Sequence, residues 1–170
     1  MAIGRPKADR PSRDRQRHPS RGAVAIAADT LDLSLRLPLF VYGTLLPGER
    51  NHHRLLAGRT LTETPATVLG ELWWITDEDY PYLCHGNEVI HGCLIVIDAA
   101  LYSTTLRAID RLEDFYPDNP DACLYLRRPV EVVTPSGGQR AWTYLWHARD
   151  RPGVKLGSGN FSARKRTSEG

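Results

Sequence analysis

One acidic residue, Glu113, lies in a segment whose other inward-facing positions are apolar. If residues 98–115 form a helix, a rotation of about 100° per residue places four side chains on one face: Tyr102, Leu106, Ile109 and Glu113. A carboxylate on such a face is costly to bury unless it is paired or occupies a pocket. In a pocket, desolvation raises the pKa of the carboxyl group toward the range that suits proton transfer. Glu113 is therefore a candidate general acid and base.

Two other interpretations of Glu113 remain open from the residues alone. The helix could end after Leu112 and leave Glu113 in water, or the carboxylate could pair with Arg127 or Arg128. The charged neighbours of Glu113 are expected to point away from the apolar face: Arg107, Asp110, Arg111 and Asp114. On helical geometry, Glu113 is thus the acid of this segment that projects beneath the helix.

The end of the first predicted strand is a second candidate site, because a glycine follows a buried apolar run. Residues 37–42 read Leu-Pro-Leu-Phe-Val-Tyr, and Gly43 comes next. A turn with glycine can present consecutive backbone N–H groups to an anion, since no side chain blocks the approach. The alternative is that the strand simply ends at a glycine. The candidate anion-binding loop is Tyr42-Gly43-Thr44-Leu45.

The elements that must position these residues are β-rich runs around one long helix. Strands are predicted at residues 37–42, 66–75, 89–97, 125–133 and 140–147, with a short helix at 51–56 and a long one from Asp98 to about Phe115. Residues 77–87 are expected to form a loop, Gly70 a bulge and residues 134–138 a turn. About five strands around one helix indicate an α+β domain with a closed or strongly curved, mainly antiparallel sheet.

Length and composition restrict the class of protein. The 170 residues suffice for one domain, and 41% hydrophobic with 25% charged residues is the balance of a soluble folded protein. No apolar stretch approaches the roughly 20 residues that a membrane helix requires. The three cysteines, Cys84, Cys93 and Cys123, form no C-x-x-C pair, so neither a zinc site nor a disulfide framework is indicated and a cytoplasmic location is expected. The alternative, a secretion signal at residues 23–28, has too short an apolar core.

The charges are distributed unevenly along the chain. Residues 1–21 carry seven Lys or Arg against two Asp, and residues 151–170 carry five against one Glu, whereas the remainder holds ten against 17 acids. The acidic middle argues against a nucleic-acid-binding fold, and RNA contact through the basic tails is the alternative, which would weaken steeply with salt. We predict a disordered basic N-terminal tail at 1–34, a domain at 35–161 and a basic C-terminal tail at 162–170.

Four ordered blocks of the chain together resemble the gamma-glutamylcyclotransferase-like family, which includes the gamma-glutamylamine cyclotransferases. They are Tyr42-Gly43-Thr44-Leu45, Ile109-Asp110-Arg111-Leu112-Glu113, Phe115-Tyr116-Pro117 and Tyr125-Leu126-Arg127. Tyr80-Pro81-Tyr82-Leu83 resembles the family's loop beside the pocket, although an ordinary turn would look the same. The resemblance covers residues 37–161.

The resemblance implies a small mixed, mainly antiparallel β-barrel with flanking helices and a cavity. The backbone of Tyr42, Gly43, Thr44 and Leu45 would hold the α-carboxylate of a small γ-glutamyl amide, with Tyr82 and Tyr125 beside it. Glu113 would serve as general acid and base while the γ-glutamyl group cyclises to 5-oxoproline and the amine leaves, and neither metal nor cofactor would be required. The alternative is a non-catalytic module that binds a small ligand or a partner on the same fold.

Three residues depart from the family pattern. Asp114 stands where the family commonly has Gly after the catalytic Glu, and Asn160 and Phe161 replace a common Asp and Trp. Asp114 is expected to tighten the pocket mouth and to place a like charge beside Glu113, whereas the other two changes concern the C-terminal lid.

Overall fold

The computed structural model describes residues 31–164. Two units are distinguished along the chain, Met1–Ser34 and Leu35–Gly170. In the first unit only residues 31–34 are described, and there the backbone N–H and the hydroxyl of Ser34 both donate to Asp32 Oδ1, at 3.0 and 2.6 Å. The predicted tail at 1–34 lies mostly outside the described residues and stays a prediction.

Within its described part, the second unit contains six strands, two α-helices and two short 3-10 helices. In chain order they are β1 (Leu39–Val41), α1 (Arg50–Leu55), β2 (Thr60–Ile75), β3 (Tyr80–Ile97), α2 (Tyr102–Leu112), a 3-10 helix (Pro120–Ala122), β4 (Tyr125–Thr134), β5 (Gly137–Trp146), β6 (Val154–Lys155) and a second 3-10 helix (Phe161–Ala163). No described helix is both long enough and apolar enough to cross a membrane.

The strands form one sheet in the order β3-β1-β5-β4-β2-β6, and β3 also pairs with β2. This extra pairing closes a circuit of five strands, with β6 added outside β2. The β1–β5 pair is parallel and the other pairs are antiparallel. The predicted α+β class with a mainly antiparallel sheet is therefore confirmed. Because β1 lies between β3 and β5 and is buried along its length, the turn that follows it begins inside the domain.

The long β2–β3 hairpin corrects one prediction. Residues 77–87 were expected to be a loop, but β3 begins at Tyr80 and pairs with β2 without interruption as far as Cys84. The register then moves from Glu71↔Cys84 to Gly70↔Glu88, so three residues of β3 bulge out of the ladder: His85, Gly86 and Asn87. The turn and glycine signals in this segment thus come from a bulge within a strand. The predicted irregularity at Gly70 is confirmed by the same register shift.

Helix α2 packs one face against the sheet, and its apolar positions Tyr102, Leu106 and Ile109 are buried as the periodicity predicts. The helix begins later than expected. Asp98 accepts a hydrogen bond from the Ala100 N–H at 2.8 Å in a turn that precedes the helix, instead of capping it.

The C-terminal boundary also needs correction. Residues 162–170 were predicted to be a tail, yet the Arg164 side chain is buried and paired. Phe161, which replaces the family's Trp, is completely buried in the same apolar cluster as Phe40 and Tyr42. Asn160 Oδ1 accepts from the Ser162 N–H at 3.0 Å and so caps the final 3-10 helix. The domain therefore includes the chain at least to Arg164.

Candidate active site

A cavity of about 330 Å³ opens where the end of β1, the start of α1, the β2–β3 turn and the end of α2 meet. This volume lies in the range of small-molecule sites. Among residues 31–164, the lining has ten polar side chains and one glycine: Tyr42, Gly43, Thr44, Arg50, Asn51, Glu78, Tyr80, Glu113, Asp114, Tyr125 and Tyr144. Its apolar residues are Phe40, Val41, Leu45, Pro81, Leu112 and Leu124. Glu113, residues 42–45 and Tyr125, which the sequence singled out separately, therefore line one cavity.

Glu113 stands immediately after the last residue of α2, and its N–H still donates to Ile109 O at 3.0 Å. This bond continues the helical direction for one more residue and keeps Glu113 on the side of α2 that faces the sheet. Neither suggested arginine pairs with it, because Arg127 contacts Asp110 at 3.2 Å and Arg128 donates to the carbonyl of Arg127. Desolvation raises the pKa of Glu113 to about 8, with further increases from the charges of Asp114 and Asp110.

Asp114 also lines the cavity, although helical geometry placed it on another face. The reason is that α2 ends at Leu112 and that Asp114 has a φ of 47°, in the left-handed region. Helical spacing no longer describes its direction. Glycine adopts this conformation without strain, and aspartate adopts it more readily than most other residues. The left-handed backbone at residue 114 thus explains why the family commonly has Gly there.

The loop of residues 42–45 is fixed by neighbouring groups. The Leu46 N–H donates to Gly43 O at 2.9 Å, and the Asn51 side chain donates to Thr44 Oγ1 at 2.9 Å while its backbone N–H donates to Thr44 O at 3.0 Å. Within residues 31–164, the N–H groups of Gly43, Thr44 and Leu45 donate to no backbone carbonyl. These N–H groups remain available to an anion in the cavity.

Gly43 is required by close packing and not by its backbone conformation. The φ of Gly43 is not positive, so the backbone conformation at this position does not require a glycine. Instead, a Cβ at this position would lie 2.4 Å from Pro81 Cγ and 2.9 Å from Pro81 Cδ. Since Pro81 also lines the cavity, Gly43 allows the loop and the start of β3 to approach each other.

The two predicted tyrosines have different positions. Tyr125 lines the cavity, and its hydroxyl donates to Pro81 O at 3.4 Å. Tyr82 is buried outside the cavity, where its hydroxyl donates to Pro152 O at 2.7 Å and its ring packs on Trp73 and Trp146. Tyr80, two residues earlier at the start of β3, lines the cavity in the position that was expected for Tyr82. The contact predicted for Tyr82 is therefore corrected to Tyr80.

A network of hydrogen bonds and an ion pair lies behind the cavity and was not predicted from the sequence. The Tyr144 hydroxyl donates to Asp110 Oδ1 at 2.6 Å, and the Tyr42 hydroxyl donates to Tyr144 O at 2.7 Å. The Arg127 side chain is buried beside Asp110, between the rings of Phe115 and Trp142. The pairing of Asp110 with Arg127 explains why an acid can lie on the inner side of α2. The sequence blocks contained Arg127 and Asp110, but they did not show that the two side chains contact each other.

Metal-binding groups are absent from the described part of the chain. Among residues 31–164, no three or more His, Cys, Asp or Glu side chains stand together so that they could hold a metal ion. The expectation that neither metal nor cofactor is needed stays a prediction. The described site offers a carboxyl group of raised pKa, free backbone donors and one lining arginine, Arg50.

Together these features define an α+β domain with a cavity of small-molecule size, lined by a carboxyl group of raised pKa and by the loop of residues 42–45. The chain belongs to a family of such proteins: the family described as Gamma-glutamyl cyclotransferase, AIG2-like, matches residues 39–163. The resemblance deduced from the sequence blocks is thereby confirmed.

Named relatives agree with this assignment. The chain is 32% identical over 112 residues to the gamma-L-glutamyl-butirosin B gamma-glutamyl cyclotransferase of Niallia circulans, covering 66% of this chain and 68% of that protein. It is 33% identical over 130 residues to a putative gamma-glutamylcyclotransferase of Vibrio cholerae serotype O1, covering 74% and 96%. Among solved structures, YkqA of Bacillus subtilis matches 79% of this chain with a TM-score of 0.58 and 25% identity, and the chain spans 43% of YkqA.

Proposed function

We propose that this protein is a γ-glutamylcyclotransferase that acts on a small γ-glutamyl amide and releases 5-oxoproline and a free amine. One observation carries the proposal: Glu113, a carboxyl group with a pKa of about 8, lines the same cavity as the backbone of residues 42–45. A γ-glutamyl group contains both things that this pair recognises, an α-carboxylate for the loop and an α-ammonium for the carboxylate of Glu113.

The substrate carries its own nucleophile. Its α-nitrogen and γ-carbonyl carbon become neighbours in a five-membered ring, so holding the chain folded replaces an encounter between two molecules by an intramolecular attack. The carboxylate of Glu113 accepts a proton from the α-ammonium, which frees the nitrogen lone pair to attack the γ-carbonyl carbon and form the new C–N bond. Glu113 then donates this proton to the nitrogen of the departing amine as the old C–N bond breaks, and the second proton that the ring nitrogen loses passes to solvent. Glu113 ends the cycle as it began, and no oxidant or reductant is consumed.

The pKa of Glu113 suits this exchange. The α-amino group at a peptide terminus has a pKa of about 8. The neighbouring α-carboxylate of a γ-glutamyl group raises the pKa of its α-ammonium above this value, which still leaves it near the value of about 8 for Glu113. A proton therefore moves between the two groups with little change in free energy, which is the condition under which acid–base catalysis is most effective. Such catalysis commonly contributes about 10² to 10⁴ in rate.

The remaining lining groups have supporting roles in this proposal. The N–H groups of Gly43, Thr44 and Leu45 bind the α-carboxylate, and Arg50 places a positive charge on the same wall. Desolvation raises the pKa of Tyr125 well above its usual range. Its hydroxyl therefore stays protonated at neutral pH and is able to donate a hydrogen bond to the substrate.

The alternative function is a binding module without catalysis. The placement of Glu113 in the cavity favours the enzyme, since a binding site for a zwitterion does not need a carboxyl group with a pKa near neutrality. The Niallia circulans relative is named for γ-glutamyl-butirosin B, and the leaving amine of the present chain remains to be identified.

A panel of γ-glutamyl compounds tests the proposed function. Purified protein is incubated with γ-glutamyl amino acids, γ-glutamyl-ε-lysine, γ-glutamyl peptides and γ-glutamyl aminoglycosides, and 5-oxoproline is measured. Release from at least one compound supports the proposal. A parallel sample treated with EDTA tests the predicted independence from metal, and we expect the same rate. Stoichiometric ligand binding without 5-oxoproline would instead support the binding module.

We also propose a cytoplasmic location. The three cysteines are buried and unpaired in the described structure, as a reducing compartment would leave them. Fractionation of the source cells tests this, and recovery of the protein outside the cytoplasmic fraction would contradict it.

A further inference from the structure

The last residue that the structure describes, Arg164, is buried and holds two acidic residues that are distant in the sequence. Its Nε and Nη2 donate to the two carboxylate oxygens of Asp79 at 2.8 and 3.1 Å, a bidentate pair. Its Nη1 donates to Glu49 Oε1 at 3.4 Å and to Phe161 O at 3.0 Å. Only 4% of the Arg164 side chain is exposed. We name the set Arg164, Asp79 and Glu49 the clasp.

The clasp is anchored in the core through Phe161. The guanidinium carbon of Arg164 lies 3.3 Å from the centre of the Phe161 ring, and Phe161 is completely buried. A guanidinium group stacked on an aromatic ring and paired on its edge is held in both position and orientation. The C-terminal segment therefore provides a fixed point to which both acids are attached.

Each acid of the clasp is a neighbour of residues that form the cavity wall. Glu49 precedes Arg50 and Asn51, which line the cavity at the start of α1. Asp79 lies between Glu78 and Tyr80, which line it at the β2–β3 turn. Asp79 itself has a φ of 51°, so the turn carries a backbone conformation that needs support from its surroundings.

Arg50 joins the same two wall segments within the lining. Its Nη2 lies 3.4 Å from both the Glu78 and the Asp79 carbonyl oxygens, at the limit of a hydrogen bond. Contacts of this length to neutral carbonyl groups are weak. Arg164 adds the shorter bidentate pair with Asp79 at the turn, and its 3.4 Å contact with Glu49 at the α1 wall joins two opposite charges that are largely shielded from water.

We infer that Arg164 is a positioning residue: through the clasp it sets the separation of the α1 wall from the β2–β3 turn and so the shape of the substrate-binding half of the cavity. It does not touch the cavity, because it is absent from the lining. Glu113 directly follows α2. Among the described residues, no hydrogen bond or ion pair joins Arg164 to α2 or to Glu113. Loss of the clasp should therefore weaken binding more than it slows the chemical step.

The first measurement does not depend on the proposed function. Amide hydrogen exchange is compared between wild type and Arg164→Ala, and residues 49–51 and 78–80 are expected to exchange roughly tenfold faster while α2 keeps its protection. Arg151→Ala is the matched control. Arg151 forms a half-exposed ion pair with Glu71, with an N–O distance of 3.2 Å, and neither residue lines the cavity. Unchanged exchange at both wall segments in Arg164→Ala would overturn the inference.

The second measurement rests on the proposed function and uses a γ-glutamyl substrate that wild type turns over. We expect Arg164→Ala to raise KM roughly tenfold with kcat within about threefold of wild type, and Arg164→Lys, which keeps the charge but not the fork, to lie between. The rise of kcat with pH, set by Glu113, should keep its midpoint. Unchanged KM, or a fall in kcat as large as the rise in KM, would overturn the positioning role.

A second variant covers the case in which Arg164→Ala does not fold. Asp79→Asn breaks the same bidentate pair from the other side, and asparagine tolerates the positive φ of this residue. It should loosen the same two segments and raise KM. If wild type releases no 5-oxoproline from any γ-glutamyl compound, the proposed function fails, and hydrogen exchange alone decides the role of the clasp.

Discussion

Asp114 directly follows Glu113, and the two carboxyl groups line one cavity in different settings. The Asp114 carboxylate accepts a hydrogen bond from the Tyr116 hydroxyl at 2.8 Å and is exposed, whereas within residues 31–164 no hydrogen bond or ion pair reaches the carboxylate of Glu113. The charge of Asp114 contributes to the raised pKa of Glu113, after desolvation. The charge of the exposed Asp114 thus adds to the raised pKa of the half-buried Glu113 beside it.

Asp114→Asn should lower the pKa of Glu113 and keep most of the activity. The variant removes the neighbouring charge, while asparagine tolerates the φ of 47°. Because the carboxylate of Glu113 is the active base of the free enzyme, kcat/KM rises with pH through its pKa, and this limb should move to lower pH. The measurement is kcat/KM from pH 5 to 10, with Asp118→Asn as the control, since Asp118 is exposed and outside the cavity lining. An unmoved limb would show that Asp114 does not act on Glu113.

Gly43→Ala should weaken ligand binding, and Gly43→Val should weaken it further. A single Cβ meets the Pro81 ring at 2.4 Å, so either the loop or the start of β3 must move and the cavity between them changes shape. Binding of γ-glutamyl compounds is measured by calorimetry. Gly157→Ala is the control, because no heavy atom lies within 4 Å of its added Cβ. Wild-type affinity in a folded Gly43→Val protein would exclude this loop as the carboxylate site.

Glu113→Gln should stabilise the protein, and the gain should grow with pH. The folded pKa of about 8 exceeds the ordinary value of 4.5, so folded wild type binds more protons than unfolded wild type between these values and loses stability as pH rises through them. Glutamine has no such loss. Urea unfolding at pH 4, 6 and 9 should give nearly equal free energies at pH 4 and a clear advantage for the variant at pH 9. A difference independent of pH would contradict the raised pKa.

Removal of residues 1–34 should leave folding and any cyclotransferase activity intact. Residues 1–22 contain only four apolar residues, Met1, Ala2, Ile3 and Ala8, too few to offset the entropy of ordering. Urea unfolding of the truncated protein, followed by circular dichroism, should show one cooperative transition at the midpoint of the full chain. A broad or absent transition would assign this segment to the folded core.

The sequence predicted the residues that line the cavity, among them Glu113, better than it predicted their surroundings. Local pattern was sufficient for Glu113, because an acid on an apolar helical stripe is visible in the spacing alone. It failed for Asp114, because the direction of that side chain depends on where the helix ends and on a left-handed residue. It failed for Tyr82 because Pro81 and Gly86 resemble loop residues, so the strand that packs Tyr82 against Trp73 was not recognised.

Other members of the site depend on contacts that no local pattern contains. Tyr144 reaches Asp110 across 34 residues, and Arg164 reaches Asp79 across 85. Only the closed sheet and the packing of Phe161 bring these pairs together. The basic composition of residues 162–170 suggested a tail, and one buried arginine among them changes the boundary of the domain.

Turnover of Glu113→Gln is the most direct test of the central claim, that Glu113 transfers protons to and from the substrate. Glutamine keeps the size of the side chain but cannot accept and return a proton, so 5-oxoproline release should fall by about 10² to 10⁴ while the γ-glutamyl ligand still binds. Asp114→Asn, assayed beside it with the same substrate, should retain most activity. Wild-type turnover in Glu113→Gln, or equal losses in the two variants, would contradict the role of Glu113 and favour a binding module.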